Sequence, residues 1–298
     1  MWLILSFASA VLLGLYDVAK KSALTGNAVL PVLFFNTLLS SLIFAPLMIL
    51  SAGGALHDGS LIFVPPGSVH EHLLIVLKSA IVLCSWIFSY FGIKHLPLTI
   101  AGPIMATRPV MVLLGAMLVF GERLNMMQWA GVLLSFLSLF LLSMAGRREG
   151  IDFKNNKWIF FVFMAALMGA VSALYDKFLM RQMAPMFVQS WFNIYQFALM
   201  TPILFLLWFP GRNRTTPFRW RWSIALIALF VSAADFVYFY ALSFEESMIS
   251  VVSMIRRSSV VVSFFFGAWM FREKNIKSKA LDLLLILVGM LFLYFGSR

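Results

Sequence analysis

Long apolar runs alternate with short polar gaps along almost the whole chain. Each run is roughly 20 residues long, the length that an α-helix needs to cross the hydrocarbon core of a bilayer. The pattern predicts ten spans, at residues 2–23, 29–50, 72–93, 97–120, 127–145, 157–180, 186–209, 222–242, 247–271 and 279–296. The predicted fold is therefore that of an all-α polytopic membrane protein.

Two of the polar gaps are longer than the others. The gap at 51–71 contains glycine and proline pairs, which predict a turn-rich loop. The gap at 147–156 is charged and lies between two groups of five predicted spans. This division predicts a first five-helix repeat at 1–146, a polar linker at 147–156 and a second five-helix repeat at 157–298.

Short motifs recur in the same order in the two halves. They are Tyr16-Asp17 and Tyr175-Asp176, Phe35-Asn36 and Phe192-Asn193, and Arg108 and Arg257, which align at a spacing of 149 residues. An odd number of spans in each half makes the two halves cross the membrane in opposite senses. The sequence therefore predicts an inverted repeat, an arrangement that commonly places a binding site near the midplane.

Composition identifies lipid as the main solvent of the chain. Hydrophobic residues make up 62% of it and charged residues only 12%, with a mean hydropathy of +0.93. A soluble domain of 298 residues cannot bury that much apolar surface. The net charge of +11 does not indicate a nucleic-acid partner, because the basic residues lie mostly in the short gaps between apolar runs.

The basic residues also predict an orientation. Most of those in the gaps follow odd-numbered spans, which places these gaps in the cytoplasm and both termini outside. The first apolar run continues past Ala8-Ser9-Ala10 and has no basic residues before it. It is therefore predicted to be an uncleaved span rather than a signal peptide.

The chain resembles the drug/metabolite transporter superfamily, specifically its EamA-like members. The resemblance rests on the ten spans, the two repeats and a glutamate that closes the fourth helix of each repeat, Glu122 and Glu273. The second half departs from the family pattern, because Arg272 stands in place of the usual glycine. The resemblance implies secondary transport of small metabolites, often export, by alternating access. The resemblance also implies that both termini lie in the cytoplasm. The distribution of basic residues predicts the opposite orientation, and we prefer that prediction.

The first candidates for a functional site are three arginines near the middle of predicted spans, Arg108, Arg256 and Arg257. A charge in the hydrocarbon core costs several kcal/mol unless it faces a partner, a watery cavity or a ligand. Arginine binds planar anions through two parallel hydrogen bonds, so a cationic pocket for a carboxylate or phosphate is predicted. Successive helical residues point about 100° apart. Arg257, which aligns with Arg108, is therefore predicted to bind substrate, and Arg256 to pair with a neighbouring helix.

The aspartates of the predicted spans provide the alternative, in which all three arginines are neutralised internally. Asp235 lies mid-span and could carry a coupling proton, but we favour a role as counter-ion of an arginine. Asp17 and Asp176 lie nearer span ends, close to Lys20 and Lys177, and an ion pair at a gate or interface is favoured there. The recurrence of Tyr-Asp keeps substrate or proton binding open.

Other side chains in the spans carry weaker hypotheses. Trp86 and Tyr238 lie on the third and eighth spans, which are repeat partners, and could stack on a substrate. Core packing is the alternative for both. Lys78 in the third span is expected to pair or to extend toward the membrane surface.

No enzyme signature and no ATP-binding loop is present in the sequence, so we expect neither catalysis nor a cofactor. Cys84 is the only cysteine, and His70-Glu71-His72 offers too few ligands for zinc, so no metal site is expected. The expected partners are a small-molecule substrate and membrane lipid, and a homodimer stays open.

The prediction is an exporter of a small anionic or zwitterionic metabolite in a bacterial inner membrane. One alternative is a flippase for an amphiphile such as a lipid-linked sugar phosphate. Another is a membrane sensor or binding protein that transports nothing.

Overall fold

The fold was described from a computed structural model. The described residues are 2–57, 59–112, 114, 125–147, 151, 153–180, 182–214, 216–242, 244, 252, 255–271 and 276–296. The helices are α1 (Trp2–Leu24), α2 (Val29–Ala52), α3 (Val69–His95), α4 (Leu98–Ala106), α5 (Met126–Arg147), α6 (Lys157–Leu179), α7 (Pro185–Ile203), α8 (Trp222–Leu242), α9 (Ser259–Met270) and α10 (Ile276–Gly296). These residues include no β-strand, and the all-α prediction is confirmed.

Within the described part of the chain, seven helices are long and apolar enough to cross a membrane, namely α1, α2, α3, α6, α7, α8 and α10. Shorter apolar helices occur at Leu98–Val112 and Met126–Ser138. The predicted spans 97–120 and 247–271 lie partly outside the described residues. Glu122 and Glu273 lie entirely outside them. A polytopic membrane protein is thus confirmed, whereas the ten-span inverted repeat stays a prediction.

Local sequence signals explain where several helices begin. Ser68 and Glu71 form a capping box in which the Ser68 Oγ accepts from the Glu71 N–H and the Glu71 carboxylate accepts from the Ser68 N–H. This cap starts α3 at Val69, earlier than predicted. The Asn156 side chain caps α6, and α7 begins at Pro185, where a missing N–H costs nothing.

The two halves of the chain are interleaved rather than side by side. Packing pairs join α1 with α8, α3 with α6, α2 with α7, α4 with α9, and α5 with α10. Each pair has a counterpart when the halves are exchanged, as a two-fold relation requires. Glycines allow two close approaches, because a Cβ on Gly14 would lie 2.4 Å from the Val262 Cβ and one on Gly92 would lie 2.4 Å from the Val162 Cγ2.

A buried asparagine fastens the turn between α1 and α2 to the segment that precedes α8. Asn27 is fully buried; its Nδ2 donates to the Arg219 carbonyl at 2.7 Å, and its Oδ1 accepts from the Arg219 N–H at 2.8 Å. Arg221 Nη1 also donates to the Ser22 carbonyl, at 2.8 Å. We call this contact the Asn27 clamp.

Replacing Asn27 with alanine should destabilise the protein. It would leave both backbone groups of Arg219 without their partner, at a cost of about 2 kcal/mol. The measurement is the thermal unfolding midpoint of the purified protein in detergent. Thr25→Ala is the matched control on the same turn, since its exposed hydroxyl bonds only the Lys21 carbonyl. Equal midpoints for the two variants would show that the clamp contributes nothing.

Candidate functional site

Charged side chains from both halves gather in the interior of the bundle. Arg108 interacts electrostatically with Asp17 and Arg256, and Arg257 interacts with Arg108, Arg256 and Asp17. Ion pairs add Lys20 and Asp235 to this group. We call it the charged centre, and its members are Asp17, Lys20, Arg108, Asp235, Arg256 and Arg257.

Arg256 is neutralised within the charged centre. Its Nη2 forms an ion pair with the Oδ1 of Asp235 on α8, and its guanidinium carbon lies 4.1 Å from the centre of the Tyr238 ring. The structure thus places Asp235 as the counter-ion of Arg256. Tyr238 lies beneath the guanidinium of Arg256 and also within electrostatic range of Arg257.

Asp17 and Lys20 form a second pair, one turn apart on α1. The Lys20 Nζ lies 2.8 Å from the Asp17 Oδ1, and the lysine is only 1% exposed. The ammonium also lies 4.2 Å from the centre of the Tyr16 ring and 5.3 Å from that of Tyr90. The two aromatic faces and the carboxylate together stabilise a charge that would otherwise be costly in this position.

Arg108 and Arg257 differ from the other members of the charged centre. Among the residues that the structure describes, neither has a carboxylate oxygen within the 4.0 Å of an ion pair. Both are surrounded by protein, yet each side chain is only partly buried. Their guanidinium groups are close enough to repel each other and Arg256. The electrostatics of the centre therefore favour an added anion.

A glycine makes room for Arg108. A Cβ on Gly169 of α6 would lie 2.5 Å from the Arg108 Cζ and 2.7 Å from its Nε. Arg108 Nη2 donates to the Ala165 carbonyl of the same helix at 3.4 Å, and its Nε has no partner within the described part of the chain. The α6 backbone therefore positions a guanidinium that still has an N–H to donate.

The net charge of the centre is positive. Among the described residues, four basic side chains face two carboxylates, an excess of two positive charges. Membrane lipid does not solvate such an excess, and a bound anion or water would compensate for it. A carboxylate or phosphate that reached Arg108 and Arg257 would do so with charge-assisted hydrogen bonds.

Asp176 occupies a different environment. Its Oδ1 forms an ion pair with the Nζ of Lys78 on α3, and the Lys78 side chain is 4% exposed. The Lys78 Nζ lies 4.9 Å from the centre of the Phe192 ring, and Trp86 packs edge-on to the same ring at 6.3 Å. Trp86 and Lys78 thus contact the same phenylalanine ring. The side chain of Lys177 lies outside the described residues.

Sequence reasoning missed two buried charges near the start of α10. Lys279 and Asp282 are 0% and 1% exposed. The Lys279 Nζ donates to the Thr99 Oγ1 of α4 at 3.0 Å, and the Ser138 Oγ donates to the Asp282 carbonyl at 2.6 Å. Both residues lie at the beginning of the predicted span 279–296, and their spacing of three residues, which is one helical turn, was the available signal.

The remaining polar motif of the sequence is accounted for by packing at the beginning of α3. Glu71 belongs to the helix cap described above. The His72 Nδ1 lies 3.0 Å from the Tyr195 hydroxyl, and its ring packs edge-on to Trp191 with 4.4 Å between centres. His72 thereby joins α3 to α7.

A cavity of about 230 Å³ lies outside the charged centre. It is bordered by the loop that follows α2, the beginning of α7 and the last turns of α8. Its lining is mainly apolar, with Phe236, Phe239 and Met186 among its walls, and Gln189 contributes an amide.

The fold and the charged centre define a class of protein, a polytopic membrane protein with a cationic interior formed by helices from both halves. The chain belongs to the EamA-like transporter family, whose profile matches residues 1–144 and again residues 156–295. The family indicated by the sequence motifs is thereby confirmed. The protein is a membrane transporter of the drug/metabolite type.

Comparison with other known proteins adds only the fold. One solved crystal structure superposes with a TM-score of 0.63 at 17% sequence identity, over 98% of this chain and 95% of the other. An identity this low supports a shared fold and nothing about substrate. No curated protein matches the sequence.

Proposed function

We propose that the protein is a secondary transporter that exports a small metabolite bearing a carboxylate or phosphate across a bacterial cytoplasmic membrane. The observation that carries this proposal is the pair Arg108 and Arg257, two arginines inside the bundle without a carboxylate partner in the described part of the chain. Arginine is suited to binding planar anions through two hydrogen bonds. A zwitterionic metabolite also fits, because Asp17 keeps 21% of its side chain exposed.

The paired charges have a second role in this proposal. Asp235–Arg256 joins α8 to the segment before α9, and Lys78–Asp176 joins α3 to α6. Ion pairs between helices can break and re-form as the protein alternates between its two faces. Such pairs would make the closed arrangement specific, and either carboxylate could take up a coupling proton when its partner moves away.

The symmetric packing of the halves supports alternating access around the charged centre. Inverted repeats exchange conformations between their two halves, so that a central site opens first to one side and then to the other. Here α4 packs against α6 while α9 packs against α1, and the two arginines of the pair come from the α4 and α9 regions.

Reconstitution tests the proposal directly. The purified protein is inserted into liposomes loaded with labelled carboxylates, amino acids and sugar phosphates, and the efflux of each compound is followed with and without a proton gradient. We expect protein-dependent efflux of at least one anionic or zwitterionic compound. Efflux restricted to cationic or uncharged compounds would contradict the assignment of the arginines.

Replacing Gly169 with alanine should weaken transport without unfolding the protein. The new methyl group would collide with the Arg108 guanidinium, which must then move aside. A displacement of about 1 Å in a preorganised site should raise the apparent KM roughly tenfold. Gly211→Ala is the control, because no atom lies within 4 Å of the Cβ position there. Equal KM values for both variants would refute a role for Arg108 in binding.

A further inference from the structure

Several buried polar side chains on α2, α7 and α8, Ser190 among them, have groups without a hydrogen-bond partner among the described residues. We call five of them the amide seam, namely Asn36, Ser40, Gln189, Gln196 and Ser232, each between 0% and 6% exposed. Within the described residues, both side-chain polar atoms of Asn36 and both of Gln196 have no hydrogen-bond partner. The same holds for the Ser40 and Ser232 hydroxyls and the Gln189 Oε1.

Packing contacts place these side chains along one interface. The Ser41 Oγ donates to the Asn193 carbonyl at 2.8 Å, and the rings of Phe34 and Phe197 lie 5.5 Å apart. Residue numbers therefore increase along α2 in the direction in which they decrease along α7, so the two helices are antiparallel. This antiparallel register brings Asn36 level with Gln196.

The seam continues onto α8 toward the charged centre. The Gln189 Nε2 donates to the Ser232 carbonyl at 3.2 Å, which ties α7 to α8. Ser232 is one helical turn from Asp235, the counter-ion of Arg256. Gln189 also lines the cavity described above. The seam therefore links that cavity with the charged centre.

Neighbouring polar side chains show what a purely structural role would look like. The Ser9 Oγ donates to the Ala234 carbonyl at 2.8 Å, and the Ser85 Oγ donates to the Ala165 carbonyl at 2.8 Å. These hydroxyls bridge helices and are satisfied. The amides of Asn36 and Gln196 are not satisfied by any described residue. Inside a membrane an unsatisfied amide is costly because lipid offers no substitute partner.

We propose that the amide seam is a closed section of the translocation path, and that its amides and hydroxyls bind uncharged hydrogen-bonding groups of the cargo. These groups would be hydroxyls or amides on the same molecule whose acid group reaches Arg108 and Arg257. This inference rests on the transport function proposed above. It narrows the cargo to hydroxylated or amide-bearing acids.

Thiol labelling tests whether the seam opens to water. Cys84 is first replaced by serine, and Ser40→Cys and Ser232→Cys are then made singly in that background. The probe is 2-sulfonatoethyl methanethiosulfonate, which does not cross lipid, applied to either side of membrane vesicles. Ser138→Cys is the matched control, because that buried serine lies between α5 and α10 and bonds the Asp282 carbonyl. We expect both seam cysteines to react on the order of tenfold faster than the control.

Thermal stability provides a second readout. Asn36→Leu and Gln196→Leu each replace an unsatisfied amide with an apolar group of similar size. Each substitution should raise the unfolding midpoint in detergent by about 2–4 °C. A structural role for the amides predicts the opposite sign.

The outcomes separate the seam from the transport proposal. Fast labelling together with stabilised leucine variants supports the seam whatever the efflux assay shows. Seam cysteines as unreactive as the control, or leucine variants that melt earlier, overturn it even if anion transport is demonstrated. Failure of the efflux assay alone counts against the proposed function.

Discussion

Arg257→Ala should abolish transport while the protein remains inserted and folded. The guanidinium lies within the bundle without a carboxylate partner among the described residues, so its removal leaves no buried carboxylate unpaired. Removing it also relieves the repulsion from Arg108 and Arg256. Losing a desolvated contact to a charged ligand costs roughly 2–5 kcal/mol, which corresponds to a loss of apparent affinity of about 30-fold to several thousand-fold.

Two further variants make this test specific. Arg257→Lys keeps the charge but loses the planar fork, so it should retain only a small part of the activity if the cargo is bound through two hydrogen bonds. Arg212→Ala removes an exposed loop arginine near Phe209 and should leave transport unchanged. Membrane levels and unfolding midpoints are measured for all three. Unaltered transport kinetics in Arg257→Ala would remove this residue from the substrate site.

Asp235→Ala should have the largest effect on stability of any single substitution considered. The substitution leaves Arg256, whose side chain is only 14% exposed, as a buried cation without its counter-ion. Breaking a buried pair by removing one partner typically costs about 3–5 kcal/mol. We expect low membrane levels and a markedly lower unfolding midpoint in detergent.

The double variant Asp235→Leu with Arg256→Leu identifies the cause. It removes both charges and fills the space with apolar side chains, so stability should return to near that of the parent protein. If the single variant is as stable as the parent, or the double variant is no better than the single, the pair is not what holds α8 to the segment before α9. Transport by a stable double variant would show that neither charge is needed for coupling.

The helices could be predicted from sequence because a bilayer imposes one length and one polarity on every span. Arg108 and Arg257 could be predicted as a pair because the repeat carries both at matching positions. The partner of Asp176 could not. Lys78 lies 98 residues away in the chain, and only the packing of α3 against α6 brings the two together.

Other parts of the site depend on shape rather than residue type. Nothing in the sequence distinguishes Gly169, which admits a guanidinium, from glycines that merely let helices approach. Asn36 was recognised only as a repeat match, because spacing alone does not reveal whether an amide will find a partner. Tertiary context decides that, and it also decides that Lys20 is buried between two tyrosine rings.

The interleaving of the two halves determines which helices can move together as a unit during transport. Since α1 packs along α8 and α3 along α6, a cut through the 147–156 segment would not yield two separable bodies. We therefore expect the rigid units of a transport cycle to be mixed in origin, one built around α1 and α8 and the other around α3 and α6. The Asn27 clamp joins the α1–α2 turn to the segment preceding α8, both at ends of the first unit, so it would travel with that unit.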